Sequence, residues 1–246
     1  MGVTIAVSNI GIWTGTDTNV DKGGEIKEGY KAQDVKIGDY YYDDGTWSDG
    51  GYRVLIDGST LHHNVPPIEG KTCIGIVYAN GETGTTHQDV ISNYSSTGLA
   101  SATSIQGYVA RLDITSGVRR SGGGSSDATA FNGYQNTQNL STAVSSPRQV
   151  REVMINDTPA PPSSTSGWYV MSLGQTMYAY EQRDILNKSR SRVKTNSGSY
   201  YGNMNFSGLW TSSYQAAGGF PTTFNNGTGG NAHDTSMHNT YFSFTF

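Results

Sequence analysis

Histidines, cysteines and clustered carboxylates are the residues with which a chain binds metal or moves protons, and here their spacing suits neither task. His62 and His63 are adjacent, so an extended backbone sends them to opposite faces and they make a poor chelating pair. His87 lies in a polar stretch, 81–88, and no His-x-x-x-His or Glu-flanked ligand set accompanies it. Asp39, Asp43, Asp44 and Asp49 form the densest acidic group, the kind of oxygen donors that calcium takes. They lack the spacing and the closing Glu of an EF-hand loop, and read as turn-forming carboxylates. Serines are abundant, yet none sits in a Gly-x-Ser-x-Gly elbow with a placed His and acid. The glycine-rich run 121–126 is not followed by the Lys-Ser/Thr of a phosphate-binding loop. Cys73 is the sole cysteine and lies in an apolar run, so neither an intrachain disulfide nor a thiol pair can form. The expectation is a protein without catalytic residues, cofactor or metal.

Binding asks instead for elements that hold side chains on a surface. Ser172 followed by Gln175 reads as a capping box, predicting a helix over 173–187 with Leu173, Met177 and Tyr180 on one side. Tyr178 and Ile185 widen that stripe, and Glu181 and Asp184 interrupt it. Asp44-Gly45 between aromatic residues predicts a tight hairpin turn with positive φ. Residues 73–78 read as a buried strand and 107–112 as another, while 241–246 alternates with period two and should bury one face. Asn136 or Thr137 suits a helix cap, and Ser146-Pro147-Arg148-Gln149 a second helix start that 158–162 terminates. Residues 225–231 read as a long loop. Residues 1–30, with Val3, Ile5 and Val7 at strand period, are expected to form an N-terminal arm or attachment segment ahead of a domain at 31–246. Packing of those apolar residues on their own domain is the other reading.

Two of these stretches carry a family resemblance. Ile37-Gly38-Asp39-Tyr40-Tyr41-Tyr42, then Gly45-Thr46-Trp47-Ser48 and Ile74-Gly75-Ile76-Val77-Tyr78, looks like an opening hairpin. Trp168-Tyr169-Val170-Met171-Ser172 with Leu209-Trp210-Thr211-Ser212-Ser213-Tyr214 looks like a helix entry and a later strand. Together they resemble C-type-lectin-like domains of the formylglycine-generating-enzyme type, which include variable proteins of diversity-generating retroelements and many surface or phage adhesins. Residues 133–140 are similar to that family's Gly-x-x-Asn-Thr-x-x-Leu helix entry. Met171 stands where the pattern has proline, and Thr211 where it has serine. The resemblance implies an α+β fold of short twisted antiparallel strands, two or three helices and long loops. It also implies that the first and last strands pair, joining the C-terminal strand to the region near Tyr40. Formylglycine-generating enzymes use cysteine chemistry, which a chain with Cys73 alone does not match.

Composition narrows the function further. The chain has 246 residues, with 32 Gly and 16 Tyr but only 15% charged residues, which favours a loop-heavy fold with aromatic surface over a helix bundle. A formal charge of -4 argues against a nucleic-acid partner held by phosphate contacts. Arg183, Lys188, Arg190, Arg192 and Lys194 form one basic cluster, read as favourable charge at a helix C-terminus and a solvated loop. The opening residues lack a basic n-region and a long apolar run, so no secretory signal is expected, and no segment approaches the roughly 20 apolar residues of a membrane span. Tyr200, Tyr201, Asn203, Asn205, Trp210, Ser213, Tyr214, Asn226, Asn231, His233, His238 and Asn239 bring rigid aromatic and adaptable amide groups to the C-terminal loops. Trp210 has a competing role in the core, and the Asn/Gly loops a competing role as plain connections. The expectation is a phage virion protein of a tail or head fibre, oligomeric, contacting other virion proteins and binding a host-surface receptor or glycan. The alternatives are a purely structural virion component and a bacterial surface adhesin.

Overall fold

The structure, a computed structural model, describes residues 35–54, 59–62, 65–122, 127, 129–215, 220–231 and 236–246. The arm expected at 1–30, and with it His63 and His233, lies outside the described residues. In chain order the elements are β1 (Tyr40–Tyr42), β2 (Trp47–Ser48), β3 (Tyr52–Val54), β4 (Thr60–His62), β5 (Cys73–Asn80), α1 (Gly81–Thr86), a 3-10 turn (Ile91–Tyr94), β6 (Gly107–Arg111) and β7 (Thr115–Val118). There follow α2 (Gly133–Gln138), α3 (Val150–Asp157), β8 (Tyr169–Val170), α4 (Leu173–Glu181), α5 (Arg183–Arg190), β9 (Leu209–Gln215), β10 (Phe220–Asn225), β11 (Thr228–Asn231), β12 (His238–Thr240) and β13 (Phe242–Thr245). This is an α+β fold, with five α-helices among the described residues where two or three were expected. None of them is long and apolar enough to cross a membrane.

One sheet runs β2-β1-β5-β6-β13-β8, antiparallel throughout. The Asp44-Gly45 turn forms as expected: Tyr41 pairs with Trp47, and Gly45 has φ +83°. The C-terminal strand does not pair with β1. Ser243–Thr245 face Tyr108–Ala110 and Phe242–Ser243 face Tyr169–Val170, so β5 and β6 lie between the first strand and the last. Nor does β13 bury one face alone. Phe244 and Phe246 pack with Tyr41, Val77 and Val109 on one side. On the other, Ser243 and Thr245 hydrogen-bond a buried set of tyrosines, Thr245 Oγ1 lying 3.0 Å from both Tyr169 OH and Tyr94 OH. Period two therefore recorded apolar and polar core faces.

The capping box holds. Ser172 Oγ accepts from Gln175 N–H at 3.2 Å, and Gln175 Oε1 accepts from Ser172 N–H at 2.9 Å. The single helix expected over 173–187 is instead two, with Gln182 (φ −88°, ψ 4°) capping both. The break falls where Glu181 and Asp184 interrupt the apolar stripe, and the redirected α5 carries Leu186 into the core that holds Ala179. α3 starts at Val150, later than Ser146 suggested. Arg148 C=O accepts from Arg119 N–H and Val150 N–H donates to Arg119 C=O, so these backbone groups pair with a distant segment of the chain before the helix begins. α2 starts at Gly133, ahead of Asn136 and Thr137, because those side chains serve other partners. Asn136 Nδ2 donates to Asn132 Oδ1, and Thr137 Oγ1 accepts from Val170 N–H at 2.9 Å.

A second sheet runs β11-β10-β9-β12-β7, with β9 and β12 parallel and the other pairs antiparallel. The long loop expected at 225–231 is a tight hairpin. Asn226 (φ +44°) and Gly227 (φ +102°) supply the two positive-φ positions that a type I′ turn requires. Tyr40, Tyr42, Ile76, Leu173, Leu209 and Phe224 share one core, so the opening hairpin, the capped helix and the second sheet pack together.

Candidate functional site

At one end of the second sheet an aromatic base carries a layer of amides. Tyr180 of α4 meets Phe206 and Phe224 edge to face, each at 5.5 Å, and the Arg183 guanidinium lies 4.3 Å from the Tyr180 ring centre. Above this base, Asn203, Asn205, Ser207, Asn225 and Asn226 are exposed. Local bonds hold their backbones. Asn226 N–H donates to Phe206 C=O at 3.0 Å, Ser207 N–H to Asn205 Oδ1 at 3.0 Å, and Asn205 N–H to Tyr241 OH at 2.9 Å. Ser207 Oγ donates to Asn225 Oδ1 at 3.0 Å, tying the 203–207 segment to the β10–β11 turn. The result is a shelf of amides on a fixed backbone.

Of the residues expected to bind, Asn203, Asn205 and Asn226 share this shelf, His233 lies outside the described residues, and the others are placed elsewhere. Trp210 is 1% exposed, packs with Val170 and Phe242, and donates its indole N–H to Val118 C=O at 2.9 Å. Ser213 is buried and its Oγ accepts from Leu173 N–H at 2.9 Å, bracing the start of α4. Both are core residues, which corrects their place in the binding set. His238 is half-buried with its ring 4.6 Å from Trp210, and burial pulls its imidazole below the usual histidine range. Tyr214 is half-buried over Arg120, and the Asn239 backbone N–H is bonded to Gly208 C=O. Asn231 ends β11. Tyr200 is exposed with Lys194 above its ring.

Tyr201 belongs to a separate cleft of about 260 Å³ with Ile74 and Leu112 at its walls. Asp43, Arg111, Asp113, Trp168 and Asn196 also line it. Tyr201 OH donates to Asp113 Oδ1 at 3.0 Å, and Arg111 Nη2 lies 3.4 Å from Asp113 Oδ2. Burial, then Asp113, pushes the Tyr201 phenol up to about 12. The sequence carried no signal for this cleft, because its residues come from the β1–β2 turn, β5 and the residue before it, the β6 end, the segment before β8 and the 196–201 turn. The basic cluster is also partly structural. Arg190 is buried and donates to Leu112 C=O at 2.8 Å and to Gly202 C=O, fixing the approach to the shelf.

Three of the four clustered aspartates do hold turns. Asp39 accepts from Lys36 and Gly50 N–H, Asp44 from Thr46 N–H, and Asp49 from Gly51 N–H and the buried Arg53. Among the described residues no group of three or more His, Cys, Asp or Glu side chains is placed to hold a metal. His87 stacks on Phe131 at 4.5 Å and its Nδ1 lies 2.8 Å from Thr83 C=O.

No family model matches the chain, and no curated protein matches it. Among solved structures it is similar to a fimbrial protein from Bacteroides ovatus, with a TM-score of 0.51 at 19% sequence identity over 86% of this chain. The chain spans about half, 49%, of that protein. At this identity the likeness is one of fold: the mixed α+β arrangement of this chain occurs within a fimbrial protein.

Proposed function

We propose that the chain is a non-enzymatic adhesive module displayed on a bacterial surface, binding a surface receptor or glycan through its amide shelf and neighbouring loops. The observation that carries this reading is the fold shared with a fimbrial protein over most of the chain. The shelf supports it, since exposed amides on a rigid backbone offer donors and acceptors at low ordering cost. The finer fold assignment within this reading is C-type-lectin-like. It is supported by the opening hairpin at Tyr41–Trp47, the Ser172-capped helix and the Leu209 strand lying in one unit. The separation of β13 from β1 is a departure from it. The expected phage-fibre location draws nothing from a fimbrial neighbour, and the cell-surface alternative replaces it.

The test is binding of the full chain to whole cells and to immobilised surface polysaccharides. The expected result is saturable binding that falls in Asn203→Ala, with Tm unchanged. A folded chain that binds no surface in the panel refutes the proposal. Burial of 203–207 and 225–230 between subunits of an assembled fibre would refute it in favour of a purely structural role.

A further inference from the structure

We infer that the cleft between Trp168 and Tyr201 is a binding subsite for one neutral pyranose unit of a glycan; this rests on the adhesive reading above. Size sets the first limit. At about 260 Å³ the cleft lies just below the ~300–1,000 Å³ range of drug-sized ligand sites, so it takes a single ring or a short fragment.

The walls set the second limit. Trp168 is half-buried, its N–H is used by Pro159 C=O at 2.7 Å, and its ring is held edge to face against Phe244 at 4.9 Å. What the indole brings to the cleft is therefore a fixed apolar surface, suited to the C–H face of a sugar ring. Ile74 and Leu112 extend that apolar side. Opposite in character are Arg111, Asp113, Asp43 and Asn196, which offer guanidinium, carboxylate and amide groups. Vicinal hydroxyls both donate and accept, so they match such a mixed set, and hydrogen bonds to the charged members are the stronger kind.

Charge sets the third limit. Arg111 stands beside Asp113, with Asp43 on the same rim, so an ionic ligand of either sign meets a like charge as well as an opposite one. A neutral polyol meets no such opposition. Asp113 is also held in place by Tyr201 OH, and Tyr201 by the buried Arg190 beneath its ring at 5.1 Å, so the polar side is set before the ligand arrives.

The experiment is saturation-transfer NMR on the full chain with glucose, galactose, mannose and N-acetylglucosamine, with glucosamine and N-acetylneuraminate as the charged counterparts. The expected result is transfer to at least one neutral sugar, strongest on ring C–H protons, with affinity about tenfold lower in Asp113→Asn. Asp113 and Asn196 are exposed, so Asp113→Asn and Asn196→Ala test the rim without touching the core. Transfer that is absent for every neutral sugar, stronger for a charged one, or unchanged in both variants overturns the inference. If cell binding persists while the sugars fail, only the subsite falls; if cells and sugars both fail, the adhesive reading falls with it.

Discussion

Ser172→Ala is the substitution that most directly tests how the fold is anchored. Ser172 is fully buried, and its hydroxyl has two jobs. It accepts from Gln175 N–H at 3.2 Å as the cap of α4 and donates to Ala130 C=O at 2.8 Å, which ties α4 to the segment before α2. Loss of an N-cap side chain costs about 1 kcal/mol. The Ala130 carbonyl, left without its donor beside a fully buried position, costs about 1–3 kcal/mol more. The sum is about 2–4 kcal/mol, a large share of the ~5–15 kcal/mol that typically holds a domain folded. Ser172→Gly separates the two jobs. Glycine caps nearly as well as serine, so the cap term shrinks to a few tenths while the Ala130 term of about 1–3 kcal/mol remains. Urea unfolding followed by tryptophan fluorescence, with the m-value held constant, reads both. If both variants lie within about 0.5 kcal/mol of the parent, the range of an ordinary surface change, Ser172 is not an anchor and the reasoning fails.

Three further outcomes follow from the same geometry. Burial pushes the Asp39 carboxyl up to about 7, against the pull of Lys36 and the Gly50 N–H, so the folded state keeps a proton that the unfolded state has lost. Stability that is fully present below pH 4 should therefore decline between about pH 4 and 7, and the decline should flatten in Asp39→Asn; an identical pH slope in the variant would contradict this. Gly174→Ala should destabilise by about 1–3 kcal/mol in thermal unfolding although alanine is the better helix former, because its Cβ would sit 2.4 Å from Thr129 C=O; a gain in Tm would count against that close approach. Burial pushes the Cys73 thiol up to about 12, so alkylation at pH 8 should run at least about a hundredfold slower in the native protein than in urea, and equal rates would show an accessible thiolate.

Local signals were legible where one short stretch contains both partners of the interaction. Ser172 and Gln175 are three apart, and Asp44-Gly45 sits between the strands it joins, so both could be read directly. Asn226-Gly227 carried an equally good hairpin signal, obscured by the surrounding glycines and amides. Signals failed where the decisive partner is distant in sequence. Ser146-Pro147 looked like a helix start until Arg119 engaged the backbone at Arg148 and Val150. The strand partners of β13 are about 135 and 73 residues away, and no periodicity within 241–246 distinguishes them from β1. Trp210 takes the core role that competed with binding, and Ser213 leaves the surface, for the same reason: Val118 and Leu173 claim their polar atoms.

The tyrosines show what such distant partners do to a reading of function. Composition alone suggested an aromatic surface, yet Tyr40, Tyr41, Tyr42, Tyr78, Tyr94, Tyr108, Tyr169 and Tyr241 are all core residues. Their hydroxyls are tolerated there because each reaches a partner, for example Val65 C=O for Tyr40 and Asp89 for both Tyr94 and Tyr108. Aromatic content therefore builds the scaffold, while the groups left facing solvent on the shelf are chiefly amides. Asn203 and Asn225 lie outside the core, so changes there should alter what the shelf binds while leaving the tyrosine network intact. A change at Tyr94 or Tyr108 should instead remove one of the donors to the buried Asp89 carboxylate and lower stability before it touches binding. On the adhesive reading proposed above, stability and recognition would thus rest on different residue types.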